Sequence, residues 1–407
     1  MNAAGDAALR GRRVLEVADE KGVYCGKLLA DMGADVIKVE PPGGDATRRI
    51  PPFWRDEPHP DRSLFFLYMN TSKRGITLDL TKPAGQALFK RLAETAHVVL
   101  ETFPPGYLDA LGLGYRSLEA SNPGLVFTSI TGFGQSGPHR HYASCDLVAS
   151  ALGGAMHVTG AAEDPPVTLA GSQAHQMASS FAAASSMIAL FHSTLRGEGQ
   201  HVDISVEETT SSVTHICGAG KWLDDGIVPR RWGTGLFHSV PSGAYPCKDG
   251  KVYLMVNRPL HWKALAEWIH EVTGNEEVLD PMFDGPSSNR QPYRELLDLF
   301  ISELTTRLTV EEVYHEGQRR HIAFTPVNTA TDVTRDAQLL ARDYFVEVEH
   351  PGVGRLRYPG APYRHAETPW SIRGPAPRVG EHNAEIYCGE LGVSEDELRA
   401  LHADGIV

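Results

Sequence analysis

Two hydrophobic periods alternate along this chain, and both are clearest between Gly11 and Arg48. Val14 to Val17 reads as a short buried strand, followed by the charged loop Asp19-Glu20-Lys21-Gly22. Tyr24, Leu28 and Met32 then recur four apart, with Leu29 widening the stripe, which predicts an amphipathic helix. Gly33 marks its end, and Asp35 to Val39 reads as a second strand. A right-handed crossover makes two such strands parallel neighbours. Ligands of parallel sheets sit beyond the carboxyl ends of the strands, so Asp19–Gly22 and Glu40–Asp45 are expected to meet at one crevice. The pattern alone suits an α/β crossover without a ligand equally well.

The same reading continues downstream. Pro51 to Ser63 is a proline-rich surface loop, after which Ile76, Leu78 and Leu80 alternate as a strand. Thr81 is expected to cap a helix with Pro83 in its first turn and Leu88, Leu92 and Ala96 on one face. His97–Leu100 and Leu125–Ile130 are further strands, and Asp146 opens a helix. An Ala/Ser-rich helix is predicted from about Gln173 to Leu195, followed by a strand in which Val202, Ile204 and Val206 alternate. From Lys221 the texture changes, with Gly226, Pro229, Gly233, Gly235, Pro241 and Gly243 marking a linker into a smaller domain. There GAYPCKDGKVYLMV reads as a hairpin turning at Lys248-Asp249-Gly250. Two amphipathic helices follow, near Trp262–Thr273 and Tyr293–Thr305, and Thr309 with Glu312 predicts a capping box for a third.

Composition narrows the function classes. The 407 residues are 42% hydrophobic and 22% charged, enough for two to three domains' worth of core. The net charge of −13 argues against a nucleic-acid surface, which needs a basic stripe. An anionic ligand would have to be held by local cations and helix N-termini against the overall field. Cys25, Cys145, Cys217, Cys247 and Cys388 show no metal-ligand or CxxC spacing, so reduced thiols in a cytoplasmic protein are expected. The opening MNAAGDAALRGRR has no apolar signal core, and the apolar run Phe181–Phe191 is too short for a membrane span.

Several strings then converge. LLADMGADVIKVEPPGGDATR resembles the opening of the class III CoA-transferase family, whose relatives include formyl-CoA transferase, carnitine CoA-transferase and α-methylacyl-CoA racemase. ETFPPGYLDALGLGY is similar to that family's ENFRPG segment, TGFGQSGP to its SGFGQTGP loop, and RGEGQHVDISV to its TGRGQHVDVS. HIAFTPVNTATDVTRDAQLLARDYFVEVEHPGVGRLRYPGAPYR and the final GEHNAEIYCGELGVSEDELRALHADGIV are close to its ending. The resemblance implies an α/β fold with a Rossmann-like, doubly wound large domain built from both chain ends. It also implies an inserted small α+β domain and an interlocked dimer. The segments expected are 1–220, 221–325 and 326–407. Coenzyme A and acyl-CoA are implied as substrates, with no permanently bound cofactor and no metal.

The resemblance also places Glu20, Lys73, Arg74, Thr102 and Phe103 among the CoA-contacting positions. Lys73 and Arg74 are implied near the phosphates; read alone, they are a solvated basic pair. Thr102 stands where relatives carry Asn, so only the aromatic packing of Phe103 carries over, and Ala110 stands where some relatives have arginine. Asp146 is implied near the reacting thioester; read alone, it complements a helix dipole. The family's nucleophilic aspartate opens the long helix, forming first a mixed anhydride and then an enzyme-bound CoA thioester.

Counting back from the shared GxGQ element, that position is His175, and no Asp or Glu occurs from Pro165 through Gly197. Three readings remain open. His175 is a nucleophile or base; or a carboxylate from elsewhere serves, with Asp146, Glu207 and Glu208 as candidates; or this chain is one subunit of a heteromer whose related partner bears the aspartate. The corresponding activities are transfer of CoA between an acyl-CoA, such as succinyl-CoA, and a carboxylic acid; racemisation or isomerisation of an acyl-CoA by His175 with a carboxylate; or CoA binding by a purely structural subunit.

Overall fold

The computed structural model describes residues 7–214, 218–236 and 239–407; Cys217, read above as a free thiol, lies outside them. Six strands form the central sheet: β1 Arg13–Val17, β2 Asp35–Glu40, β3 Arg74–Thr77, β4 Val98–Glu101, β5 Val126–Thr131 and β6 Gln200–Ser205. Their spatial order is β3-β2-β1-β4-β5-β6, and every neighbouring pair is parallel. This is the doubly wound order, whose direction of growth reverses between β1 and β4.

Side-chain alternation explains why both faces of the sheet are covered. Leu15, Val17, Ile37, Val39 and Val99 pack with Leu88, Phe89 and Leu92 of the helix Pro83–Glu94. Val14, Val36, Val98 and Leu100 pack on the other side, with Cys25 and Leu29 of the helix Val23–Asp31 and with Ala174, Ala178 and Ala182 of the helix Gln173–Arg196. The small side chains of that last helix let its backbone lie close to the sheet. Ile386, Tyr387 and Val407 join the first layer, and the Tyr387 hydroxyl donates to the Thr77 carbonyl at 2.7 Å, so the chain's C-terminal segment completes the same core.

The chain divides into two compact units, Met1–Ala155 with Leu169–Ala219 and Arg342–Val407, and Met156–Thr168 with Gly220–Ala341. The expected return at 326 falls inside the second unit, because β9 (Ala323–Pro326) is hydrogen-bonded to β8 (Lys251–Met255). With β7 (Ser242–Pro246), these make a three-stranded antiparallel sheet. Helices Pro259–Thr273, Arg294–Thr305 and Val310–Arg319 supply its core, with Trp262, Leu297 and Val313 buried alongside Val252 and Leu254. The Thr309/Glu312 capping box is present as the spacing predicts. In the first unit, β10 (Phe345–His350) and β11 (Gly354–Pro359) form a separate hairpin.

Two local expectations are corrected. The strand predicted through Leu80 ends at Thr77, and the next helix is capped at Lys82 with no side-chain bond. Thr81 is instead drawn back by Asp79, whose Oδ1 accepts both its amide and its hydroxyl at 2.9 and 2.6 Å, a local turn that competes with capping. No described helix is long and apolar enough to cross a membrane.

Candidate functional site

The carboxyl ends of β1 to β5 open onto a cleft of about 800 Å³. Its centre is the switch point between β1 and β4. There the Asp19 amide donates to Thr102 Oγ1 at 2.9 Å, tying the loop after β1 to the loop after β4. One residue back, Glu101 Oε2 accepts the Phe103 amide at 2.6 Å. The Phe103 ring stacks on Tyr107 with centroids 4.7 Å apart, and both rings line the cleft. Asp19, Lys21, Glu40 and Asp45 all line it too, so the two loops of the opening strand–helix–strand unit meet as their placement in the sequence predicts.

The β2 side is held by buried charge. Arg48 is fully buried and grips Glu40 through two hydrogen bonds of 2.6 and 2.7 Å, with Nη1 on Asp61 at 2.9 Å and its guanidinium 3.8 Å from the Phe66 ring centroid. Glu40 also accepts the Asp45 amide at 2.9 Å, which fixes the loop after β2. Lys38 reaches Asp45 at 2.5 Å, the Ala18 carbonyl at 3.0 Å and Glu16 at 3.4 Å. Burial alone would lower its pKa, but Asp45, Glu16 and Glu40 outweigh this and raise it, so Lys38 stays charged.

Lys73 and Arg74, implied near phosphates, stand elsewhere. Lys73 Nζ is enclosed by Glu16 (2.9 and 2.7 Å), the Val23 carbonyl (2.9 Å) and Asn70 (2.9 Å), with no exposed side-chain surface. Burial brings its pKa down to about 8 despite Glu16. Arg74 opens β3 at the amino edge of the sheet, away from the cleft, and is held by Asp35, Glu385 and Glu390 at 2.6–2.9 Å. The cations that do line the cleft are Lys21, ion-paired with Asp19, and the exposed Arg49 and Arg140. Sequence reading misses the last two. Arg48-Arg49 follows a Gly-Gly-Asp turn, and nothing in the string separates the buried arginine from the exposed one.

His175 lies in the first turn of the long helix, 3% exposed. The helix begins at Ser172, whose φ of 52° is left-handed and whose side chain makes no cap. Asp146, the first residue of the helix Asp146–Leu152, supplies the missing acceptor, its Oδ1 receiving the His175 amide at 3.0 Å. Both ring nitrogens of His175 are buried without a hydrogen-bond partner. Burial lowers its pKa, against the pull of the nearby Asp146, Glu20 and Asp19 carboxylates and with the help of Lys21, so the imidazole is neutral at pH 7. Predicted residues His175, Asp146 and Glu20 therefore share one neighbourhood. Two hydroxyls of the cleft wall, Thr131 Oγ1 and Ser144 Oγ, are likewise buried without a partner. Glu208 is exposed, its amide capped by Ser205 at 3.2 Å, while Glu207 donates its amide to the Gly132 carbonyl. Neither carboxylate is among the charges that bear most strongly on His175. Among the described residues, no group of three or more His, Cys, Asp or Glu is placed to hold a metal ion.

Comparison with known proteins follows the same line. A family profile described as CoA-transferase family III matches residues 9–383. Over 404 residues the chain is 36% identical to the succinyl-CoA:(R)-benzylsuccinate CoA-transferase subunit BbsE of Thauera aromatica, covering 96% of this chain and 97% of that protein. Over 398 residues it is 34% identical to a succinyl-CoA–D-citramalate CoA-transferase of Chloroflexus aurantiacus, covering 97% of each. A crystal structure of a CAIB/BAIF family protein from Brucella suis superposes with a TM-score of 0.81 at 30% identity, covering 94% of this chain and 99% of that one.

Proposed function

This chain belongs to CoA-transferase family III, and from that premise we propose that it moves CoA between an acyl-CoA such as succinyl-CoA and a carboxylic acid, as one subunit of a hetero-oligomer. In this family CoA thioesters are substrates rather than resident cofactors. The observation that carries the heteromer reading is the residue at the head of the long helix. Covalent CoA transfer needs an enzyme carboxyl carbon to which the CoA sulfur can be joined. An imidazole attacking an acyl-CoA gives an acyl-imidazole and free CoA thiolate, and the thiolate finds no enzyme carbonyl carbon to join, so CoA leaves the covalent intermediate. His175 therefore cannot hold CoA as a thioester, and the stretch from Pro165 through Gly197 offers no carboxylate.

The cleft supports the binding half of this reading. Phe103 and Tyr107 offer an aromatic wall suited to an adenine ring, and Arg49, Arg140 and Lys21 offer the local cations that phosphates need on a chain of net charge −13. The Thr131 and Ser144 hydroxyls provide unpaired polar groups in the wall for the thioester end, while the unpaired His175 ring, like Asp146 and Glu20, is not among the lining residues. The assembly half is supported by an apolar row on the long helix: Phe181, Ile188, Phe191 and Leu195 are 42–71% exposed. A row of that size fits a face covered by another chain, as in an interlocked dimer. Two similar proteins are named as subunits of CoA-transferases, the BbsE protein and a succinyl-CoA–L-malate CoA-transferase alpha subunit.

One observation favours a second reading: a neutral, unpaired imidazole beside Asp146 is suited to removing the α-proton of an acyl-CoA, as a racemase or isomerase requires. Assays of the purified chain separate these. CoA exchange between succinyl-CoA and a panel of acids is expected only when an aspartate-bearing homologue is added. Exchange by the chain alone would contradict the heteromer reading. Deuterium incorporation at the α-carbon without any acceptor acid would establish the racemase reading instead.

A further inference from the structure

A second cavity, of about 460 Å³, shares Pro104 with the cleft and is lined among others by Glu101, Asp109, Tyr115, Ser129, Gln135 and His201. A row of polar side chains crosses the sheet along this cavity. Glu101 ends β4, Ser129 is its register partner in β5, and His201 lies in β6. Ser129 stands beside the Glu101 carboxylate and favours its ionised form, and the Ser129 hydroxyl lies 2.9 Å from His201 Nε2. With its one proton turned to the carboxylate, Ser129 accepts from the imidazole, an order His201 to Ser129 to Glu101 that suits an ionised Glu101. The His201 ring is steadied by stacking on Tyr115 at 5.9 Å and by the edge of Phe127 at 5.4 Å. Glu101 Oε2 accepts the Phe103 amide at 2.6 Å. Glu101 is 5% exposed and takes no part in the chemistry described above.

We infer that Glu101 is a positioning residue for coenzyme A: its carboxylate, steadied by Ser129 and His201, anchors the Phe103 backbone and so sets the aromatic wall on which the nucleotide rests. This depends on the reading of the cleft as the CoA site. The physical ground is the difference between an ionised acceptor, which draws an amide into a short hydrogen bond, and a protonated one, which holds it less firmly. The charged and titratable groups facing Glu101 are Lys21 from the loop after β1 and Asp109 from the turn of helix after Phe103, with Ser129 as hydrogen-bond donor. His201, next in the row, faces Asp203, Asp109 and Arg116. Burial pushes the Glu101 pKa up to about 7, against the Ser129 and Phe103 hydrogen bonds and Lys21, with Asp109 adding to the rise. The anchor is therefore mostly ionised at pH 8 and weakens as pH falls to 6.

Calorimetric binding of coenzyme A between pH 8 and pH 6 tests this on the wild-type chain and on Glu101→Gln and Ser129→Ala. Titration of the nucleotide's own phosphates is common to all three and cancels in the comparison. The wild type is expected to lose about five-fold more affinity over that range than Glu101→Gln, the factor by which a charge-assisted bond exceeds a neutral one. Ser129→Ala, which removes a bond favouring the ionised form, is expected to move the midpoint to higher pH. Parallel slopes for wild type and Glu101→Gln, or an unmoved midpoint in Ser129→Ala, overturn the inference. No binding by the wild type at pH 8 would instead overturn the CoA reading. The positioning role is then decided by hydrogen exchange at the Phe103 amide, whose protection should fall from pH 8 to pH 6 in the wild type and stay level in Glu101→Gln; level protection in both overturns it.

Discussion

At the scale of single residues, the cleft stands on buried charge that cannot be altered piecemeal. Gly26 shows this most directly. A Cβ added there would lie 1.6 Å from Glu16 Oε2, the atom that Lys73 grips at 2.7 Å. Gly26→Ala must displace the Glu16 carboxylate and leave Lys73 and Lys38 buried without it. Removing one partner of a buried ion pair typically costs about 3–5 kcal/mol, so the variant should lose at least about 3 kcal/mol in urea unfolding. A loss below about 1 kcal/mol would show that the pair is not held as described. The same pair explains why Lys73 misleads in sequence. A lysine before a strand reads as a solvated or ligand-binding cation, and its actual partner, Glu16, is 57 residues away, the one polar position between Val14 and Val17. Long-range pairing of buried charge leaves no periodic trace.

Elements are more legible than residues where a single period or a single capping residue decides the outcome. The long helix predicted from Gln173 to Leu195 runs Gln173–Arg196, because Gly197, at φ 74°, ends it as its glycine allows. The opening β1–helix–β2 unit and the Thr309 capping box follow for similarly local reasons. What cannot be read is the cap of the long helix itself, supplied by Asp146 from 29 residues upstream. Its removal should be felt locally. Asp146→Ala is expected to cost about 1 kcal/mol and to speed amide exchange at residues 173–176, with Asp146→Asn, which keeps an acceptor, recovering much of both. Unchanged exchange in Asp146→Ala would mean that the carboxylate serves only the chemistry and not the helix.

At the scale of the whole molecule, family and fold agree on where a ligand belongs, and on the proposed reading the chain lacks the carboxylate that would react with it. The sheet order puts the switch point between β1 and β4, and the loops that follow those strands meet there. The cleft so formed has an aromatic wall, rim cations and unpaired hydroxyls, while the long helix opens with a buried, neutral imidazole, the residue that the proposed reading sets at the nucleophile's place. Intact-protein mass spectrometry after incubation with succinyl-CoA, on the wild-type chain and on His175→Asp, reads both halves together. The account predicts an unmodified wild-type chain and a covalent CoA thioester on His175→Asp. A CoA adduct on the wild-type chain alone would contradict it.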